Sequence, residues 1–289
     1  MKWEGQRESE NVEDARGRSG RGIGLPIGGR GLGVGGVVVA LIASWVLGIN
    51  PLTLLGALDG GSGSAVRESA EDSQAQDPGY RFVKVVLGDT EDVWGAYFKG
   101  RGQPYEAPRL QVFRGATRTG CGAGEAAMGP FYCPADHKVY IDLGFYDTLK
   151  QRLGAPGDFA QAYVIAHEVG HHLQNLMGTT EKIDRARGRV SEREMNAMSV
   201  QLELQADCYA GVWANLSQRG KGWLEQGDIE EALNAAAQIG DDTLQKRSRG
   251  TVVPESFTHG SSAQRVGSFK RGLQAGDLAA CDSLSSAAP

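Results

Sequence analysis

Residues 166–172 constrain this chain more than any other part of its sequence. They read Ala-His-Glu-Val-Gly-His-His and contain the H-E-x-x-H pattern, in which two histidines stand four residues apart and a glutamate directly follows the first. Because an α-helix has about 3.6 residues per turn, His167 and His171 project from the same face and can bind one zinc ion. Glu168 then lies beside the metal, where it can accept a proton from a zinc-bound water, as peptide hydrolysis requires.

The residues around the motif predict that it lies on an amphipathic helix. Asp158 and Gln161 have the spacing of a capping box, and Gly178 is suited to end the helix. Apolar residues recur between them at three- and four-residue steps, at Phe159, Ala162, Tyr163, Ala166, Val169, Gly170, Leu173 and Met177. This setting favours a metal site over the alternative, in which the two histidines only pack or face solvent.

A second helix offers the third protein ligand that a catalytic zinc requires. Ser191 and Glu194 form a capping box, and a buried stripe follows at Met195, Met198, Leu202, Ala206, Tyr209, Trp213 and Leu216. Glu203 and Asp207 lie one turn apart in this helix, so one can bind the metal while the other orients a ligand histidine. The alternative is an ordinary solvated helix face, but the residues around Asp207 are poor in charge.

These residues resemble those of a known family, the bacterial putative neutral zinc metallopeptidases. Besides the motif helix at 157–172, the matching segments are 11–14, 129–134, 138–143 and 257–265. The resemblance implies a gluzincin-like peptidase with a zincin-like domain, in which zinc is bound by His167, His171 and Glu203. The spacing from Glu203 to Asp207 is also similar to that of membrane-bound zinc peptidases that act on prenylated or misfolded proteins.

His259 is a second catalytic candidate beside Glu168. It is the only histidine that follows the zinc motif, and it stands between Thr258 and Gly260. Zinc peptidases commonly use a histidine or tyrosine to stabilise the oxyanion of the tetrahedral intermediate, and this role is predicted for His259. The competing interpretation is a structural histidine bonded to nearby backbone. No role is predicted for His137 or His172.

Residues 31–58 predict one transmembrane helix. They carry no charge, and at about 1.5 Å per residue they are long enough to span a hydrocarbon core of roughly 30 Å. The glycines among them would make a poor soluble helix, which disfavours a buried core helix. Gly31 and Gly35 also form a G-x-x-x-G pattern, so the helix could pair with a second copy to give a homo-oligomer.

The charges that flank this segment predict its orientation. Six basic residues precede it, whereas the twenty residues after it contain one arginine and five acidic residues. The positive-inside rule then predicts a single-pass protein of the bacterial inner membrane with its N-terminus in the cytoplasm. A cleaved signal peptide is disfavoured because the charged front end is about thirty residues long. The predicted parts are a cytoplasmic tail at 1–30, the transmembrane helix at 31–58, a flexible linker at 59–79 and an extracytoplasmic peptidase domain at 80–289.

The four cysteines are candidates for disulfide bonds if the domain lies in an oxidising compartment. Cys121, Cys133, Cys208 and Cys281 can then form two disulfides, and the sequence leaves three pairings open. Cys121 and Cys133 flank a short glycine-rich loop suited to closing on itself, which would leave Cys208 to pair with Cys281. This pairing is a hypothesis. A second zinc site made of thiolates is disfavoured because no C-x-x-C spacing occurs.

The hydrophobic pattern predicts an α+β fold that is mainly helical, with a small sheet beside the motif helix. The expected elements are strands at 109–113 and 138–143, a strand or short helix at 82–87, and a helix at 89–98. Two later helices have predicted caps at Asp228 and at Ser261 or Ser262. Tyr140 to Leu143 is the predicted edge strand for an extended substrate, with an inner strand as the alternative.

These features together predict a membrane-anchored zinc metallopeptidase that uses Zn²⁺ to hydrolyse protein or peptide substrates. The net charge of −5 gives no basic surface for nucleic acid, so no nucleic-acid partner is expected. The alternative is a membrane-tethered binding or scaffold protein whose zinc site is structural or vestigial. An intramembrane protease is disfavoured because charged residues follow the motif at 181–185.

Overall fold

The computed structural model describes residues 1–17 and 77–282 of the 289-residue chain. One compact unit comprises Met1–Arg16 and Gln76–Pro289. The predicted transmembrane helix at 31–58 lies outside the described residues, as does nearly all of the predicted linker. Of the helices that are described, none is long and apolar enough to cross a membrane.

Helices make up most of the described chain, which confirms the predicted α+β class with mainly helical character. The helices are α1 (Pro78–Lys99), α2 (Gly144–Asp147), α3 (Asp158–Leu176), α4 (Thr179–Ala186), α5 (Glu192–Lys221), α6 (Asp228–Gln238), α7 (Asp241–Arg249) and α8 (Ser262–Ala275). The strands are β1 (Val12–Asp14), β2 (Arg109–Phe113), β3 (Ala116–Thr119), β4 (Gly122–Glu125), β5 (Phe131–Cys133) and β6 (Lys138–Asp142).

Four strands form a small sheet in the order β1-β2-β6-β5, while β3 and β4 form a separate hairpin. The two strands predicted from alternation are β2 and β6, which pair in parallel. The prediction that Tyr140 to Leu143 form an edge strand holds only in part, because β5 pairs with Lys138 to Tyr140, whereas Ile141 and Asp142 pair with β2 alone. The chain turns back after Cys133, so β5 pairs antiparallel with β6 and becomes the outer strand.

The N-terminal residues belong to the same unit as the residues of the predicted peptidase domain. β1 is hydrogen-bonded in parallel to β2, with Val12 opposite Leu110. One strand that precedes the predicted domain start at residue 80 thus belongs to the same sheet as strands that follow it. The predicted single-pass orientation stays a prediction, although one crossing between β1 and β2 would place these two paired strands on opposite sides of a membrane.

Helix α1 joins two segments that the sequence prediction kept apart. Residues 82–87 are helical and continue without a break into the predicted helix at 89–98. The helix begins at Pro78, and the side chain of Asp77 accepts a hydrogen bond from the backbone nitrogen of Gly79. Five residues of the apolar run at 82–87 are buried, and such a run cannot be assigned to helix or strand from periodicity alone.

The helix caps agree with the sequence prediction in part. The capping box at Ser191 is formed, and Ser261 caps α8 in the same way. Asp158 does not cap α3, because Gly157 occupies that place and the Asp158 carboxylate contacts the amino group of Met1 at 3.0 Å. Gly227 likewise takes the cap of α6, which places Asp228 in the first turn.

Glycines allow α3, α5 and α8 to approach closely enough to form one site. A Cβ atom on Gly170 of α3 would lie 3.0 Å from the backbone oxygen of Ala206 on α5. A Cβ atom on Gly272 of α8 would lie only 1.9 Å from the backbone oxygen of Cys208. The helices therefore meet with no room for a side chain at these crossings, which brings the acidic residues of α5 to the motif histidines.

Two disulfides hold the described domain, and they confirm the predicted pairing. Cys121 bonds to Cys133, the last residue of β5. Cys208 bonds to Cys281, which ties the middle of α5 to the C-terminal turn Leu278–Cys281.

Candidate metal centre

Three side chains from two helices bring their donor atoms to one point. Nε2 of His167 lies 3.1 Å from one carboxylate oxygen of Glu203, and Nε2 of His171 lies 3.5 Å from the other. One donor atom from each residue can be chosen so that all lie within 4.8 Å of one another. The structure thus brings together the three residues that were predicted as zinc ligands.

The donor set fits a zinc ion. Around a tetrahedral zinc with bonds of about 2.0–2.1 Å, neighbouring donor atoms are roughly 3.4 Å apart, which is close to the separations seen here. Nδ1 of His171 lies 2.8 Å from Oε1 of Gln174, whose amide nitrogen donates to the backbone oxygen of Leu202. Because an amide oxygen only accepts, Nδ1 of His171 carries the proton and Nε2 keeps its lone pair for a metal.

Asp207 lies where a carboxylate can orient His167. Its Oδ1 is 2.8 Å from Nδ1 of His167, and its side chain is fully buried. Arg265 of α8 donates from Nε to Oδ2 at 2.8 Å and from a terminal nitrogen to Oδ1 at 3.0 Å. The hydroxyl of Tyr163 also donates to Oδ1. His167 is therefore held by a carboxylate that two further side chains fix in place.

Buried charges of opposite sign control the ionisation of these groups. Burial opposes the charge of Asp207, but Arg265 and His167 outweigh it and lower the pKa of Asp207 to about 2. Burial likewise opposes the charge of His167, but Asp207 and Glu203 outweigh it and raise its pKa to about 10. The carboxylates thus present negative charge to both sides of the imidazole, which favours a cation at this point.

Glu168 lies next to the cluster without being one of its three donors. It lines a cavity of about 1010 Å³ that is also lined by His167, His171 and Glu203. Burial raises the pKa of Glu168, and the positive charge of a bound cation would act in the opposite direction. A carboxylate in this place can take up a proton and return it.

The same cavity extends along β5, which contributes Phe131 and Tyr132 to its lining. The hydroxyl of Tyr132 contacts Nδ1 of His172 at 3.0 Å. Nε2 of His172 lies 2.7 Å from the backbone oxygen of Glu106, to which it donates, and burial lowers the pKa of this imidazole to about 4. His172, for which no role was predicted, therefore connects the motif helix to β5 as a neutral side chain.

His259 also lines the cavity, on the loop between α7 and α8. Its Nδ1 lies 2.9 Å from the hydroxyl of Thr258 and 3.4 Å from Oδ1 of Asp241. Oδ2 of Asp241 accepts hydrogen bonds from the backbone nitrogens of residues 258–260. Asp241 therefore holds both the loop and the imidazole, and its hydrogen bond is the main cause of the raised pKa of His259.

Comparison with known proteins gives the family. A model described as putative neutral zinc metallopeptidase matches residues 1–284. The chain belongs to this family. The uncharacterized protein YpfJ of Escherichia coli K12 is 51% identical over 288 residues, which cover 98% of this chain and 99% of YpfJ. The uncharacterized protein Rv2575 of Mycobacterium tuberculosis H37Rv is 42% identical over 223 residues, or 72% of each chain. No solved structure matches the chain significantly.

Two side chains of the candidate metal centre had no role in the sequence prediction. Arg265 is buried on the same face of α8 as Phe269, one turn later. A basic residue on the buried face of an amphipathic helix requires a partner, and this signal could have identified it. Tyr163 looks like one more apolar member of the α3 stripe, because the partner of its hydroxyl lies on another helix.

Proposed function

We propose that this chain is a zinc-dependent metallopeptidase that hydrolyses peptide bonds in protein or peptide substrates. The observation that carries the proposal is the convergence of His167, His171 and Glu203 beside Glu168 in one cavity. Membership of the zinc metallopeptidase family supports the same reaction.

The side chains around the metal have separate roles in the proposed mechanism. A bound zinc ion supplies a Lewis acid that polarises the scissile carbonyl. Glu168 accepts the proton of the attacking water and passes it to the departing amine. Asp207 holds the Nδ1 proton of His167, so that Nε2 stays directed at the cluster. His259 donates to the oxyanion as negative charge develops on it.

The outer edge of β5 is the proposed docking strand for an extended substrate. In the part of the chain that the structure describes, β5 pairs with β6 alone, and its residues Phe131 and Tyr132 line the cavity. Main-chain hydrogen bonds to this edge would align a peptide without requiring a particular sequence.

Metal analysis combined with a digestion assay tests the proposal. We expect the purified protein to contain one zinc ion per chain, to cleave casein, to lose this activity on chelation and to regain it when zinc is restored. Circular dichroism of the chelated protein separates loss of the metal from loss of the fold. A folded protein that holds zinc and cleaves no substrate would instead support the binding or scaffold alternative.

Replacing His259 by alanine is expected to lower kcat/KM by about 10²–10³-fold with no change in zinc content, because one oxyanion donor is lost. Kinetics on a peptide substrate and metal analysis measure the two quantities. His137→Ala is the matched control, since His137 is not among the residues that line the cavity. Equal kcat/KM in His259→Ala and the parent protein would assign His259 a structural role alone.

We also propose attachment to the bacterial inner membrane through the apolar segment at 31–58. The two disulfides support an extracytoplasmic location for the unit that contains them. Because β1 pairs with β2, we place the N-terminal residues in that compartment as well, which a single crossing by this segment would not allow. Pairing of two copies through this segment remains a prediction.

Cysteine labelling of spheroplasts tests this location. Glu10→Cys and Lys246→Cys each add one thiol at an exposed position, and the described chain has no other free cysteine. We expect a membrane-impermeant maleimide to label both variants equally before and after the membrane is permeabilised. Labelling of Lys246→Cys in spheroplasts, with Glu10→Cys reacting only after permeabilisation, would contradict the shared compartment.

A further inference from the structure

Apolar side chains line part of the cavity next to the metal centre. One wall is the segment that leads into β5, with Met128, Pro130 and Phe131. A second wall brings together Val164 of α3 and Leu244 of α7. Glu168 lines the same cavity, so a peptide that is cut there would lie in the cavity that these apolar side chains line.

Two of these wall residues are unusually exposed for their type. Met128 is 66% exposed and Leu244 is 37% exposed, and both are among the few large hydrophobic side chains on the described surface. Both residues line the cavity, so their exposed apolar surface is available to a bound peptide, and ligand pockets are lined mainly by apolar side chains. Methionine is flexible and polarizable, so Met128 can adapt to apolar side chains of different shapes.

Charged groups are scarce on the same walls. Outside the metal centre and its neighbours, the charged residues that line the cavity are Asp142 and Arg152. The Asp142 carboxylate already accepts hydrogen bonds from the backbone nitrogens of Gly115 and Gly144. Apart from the exposed Arg152, the walls therefore offer little to compensate a charged substrate side chain for the water it would lose.

We propose that the cavity selects extended peptide segments with apolar side chains next to the scissile bond, and that Met128 and Leu244 contact those side chains. The inference rests on the proposed function for the position of the scissile bond. Segments of this kind are buried in folded proteins, so the substrate class is an unfolded or locally exposed polypeptide.

Peptide binding to a Glu168→Gln protein tests the inference separately from catalysis. Two fluorescent peptides of equal length and charge are compared by anisotropy, one with leucine and phenylalanine at its centre and one with serine and glutamine. We expect the apolar peptide to bind at least about tenfold more tightly. Adding Met128→Gln should weaken its binding by about 5- to 10-fold and leave the polar peptide nearly unchanged.

Met177→Gln is the matched control, because Met177 is 40% exposed and is not among the residues that line the cavity. Equal affinity for the two peptides, absence of binding, or an equal loss in Met177→Gln would overturn the inference. The parent protein is also assayed for hydrolysis of both peptides. If it hydrolyses neither, while the binding data show an apolar preference that depends on Met128, the inference is supported and the result counts against the proposed function.

Discussion

Replacing Glu168 by glutamine should abolish hydrolysis while the protein stays folded and still binds one zinc ion. Glutamine has nearly the same shape but cannot take a proton from water, and loss of a general base is expected to lower kcat by a factor of about 10²–10⁴. Zinc should remain because the three donor atoms come from His167, His171 and Glu203.

The measurement pairs kcat on a peptide substrate with the zinc content and the thermal unfolding of the same preparation. Glu181→Gln is the matched control, because Glu181 is an exposed acid on α4 that does not line the cavity. Wild-type kcat in Glu168→Gln would remove Glu168 from the mechanism. Loss of zinc from a folded Glu168→Gln protein would show instead that this carboxylate is a metal ligand.

The positions of the site residues within each helix were predicted well, because they follow from local periodicity. The helical spacing places His167 and His171 on one face of α3, and the same spacing places Glu203 and Asp207 one turn apart on α5. Each pair lies within a single helix, so its geometry follows from the chain itself. The resemblance to a peptidase family then supplied the one step that spacing cannot, which is that the two helices meet.

The contacts that the sequence did not predict join distant parts of the chain. Whether β6 or β5 is the outer strand depends on which strands pair, and the apolar pattern of residues 138–142 is the same in both cases. The pairing of β1 with β2 joins residues about a hundred positions apart, and no local pattern in residues 12–14 indicates it. The role of Arg265 likewise depends on α8 crossing α5 at Gly272.

Replacing Arg265 by methionine should lower the free energy of unfolding by about 3–5 kcal/mol, because it leaves the buried Asp207 carboxylate without its main counter-charge. Urea denaturation in the presence of a chelator measures this cost without the contribution of zinc binding. Arg271→Met is the matched control, since Arg271 is exposed on the same helix. A change as small as that of the control would mean that Asp207 does not need Arg265.

Combining Arg265→Met with Asp207→Asn separates the stabilising role of the pair from its role at the metal. The double variant should be more stable than Arg265→Met alone, because no uncompensated charge stays buried. Its zinc affinity should nevertheless remain about 10–100-fold below that of the parent, because a neutral amide polarises the His167 imidazole less than a carboxylate does. Calorimetric titration with zinc measures this affinity. If the double variant regained both stability and affinity, Asp207 would serve only to neutralise Arg265, and His167 would be oriented without it.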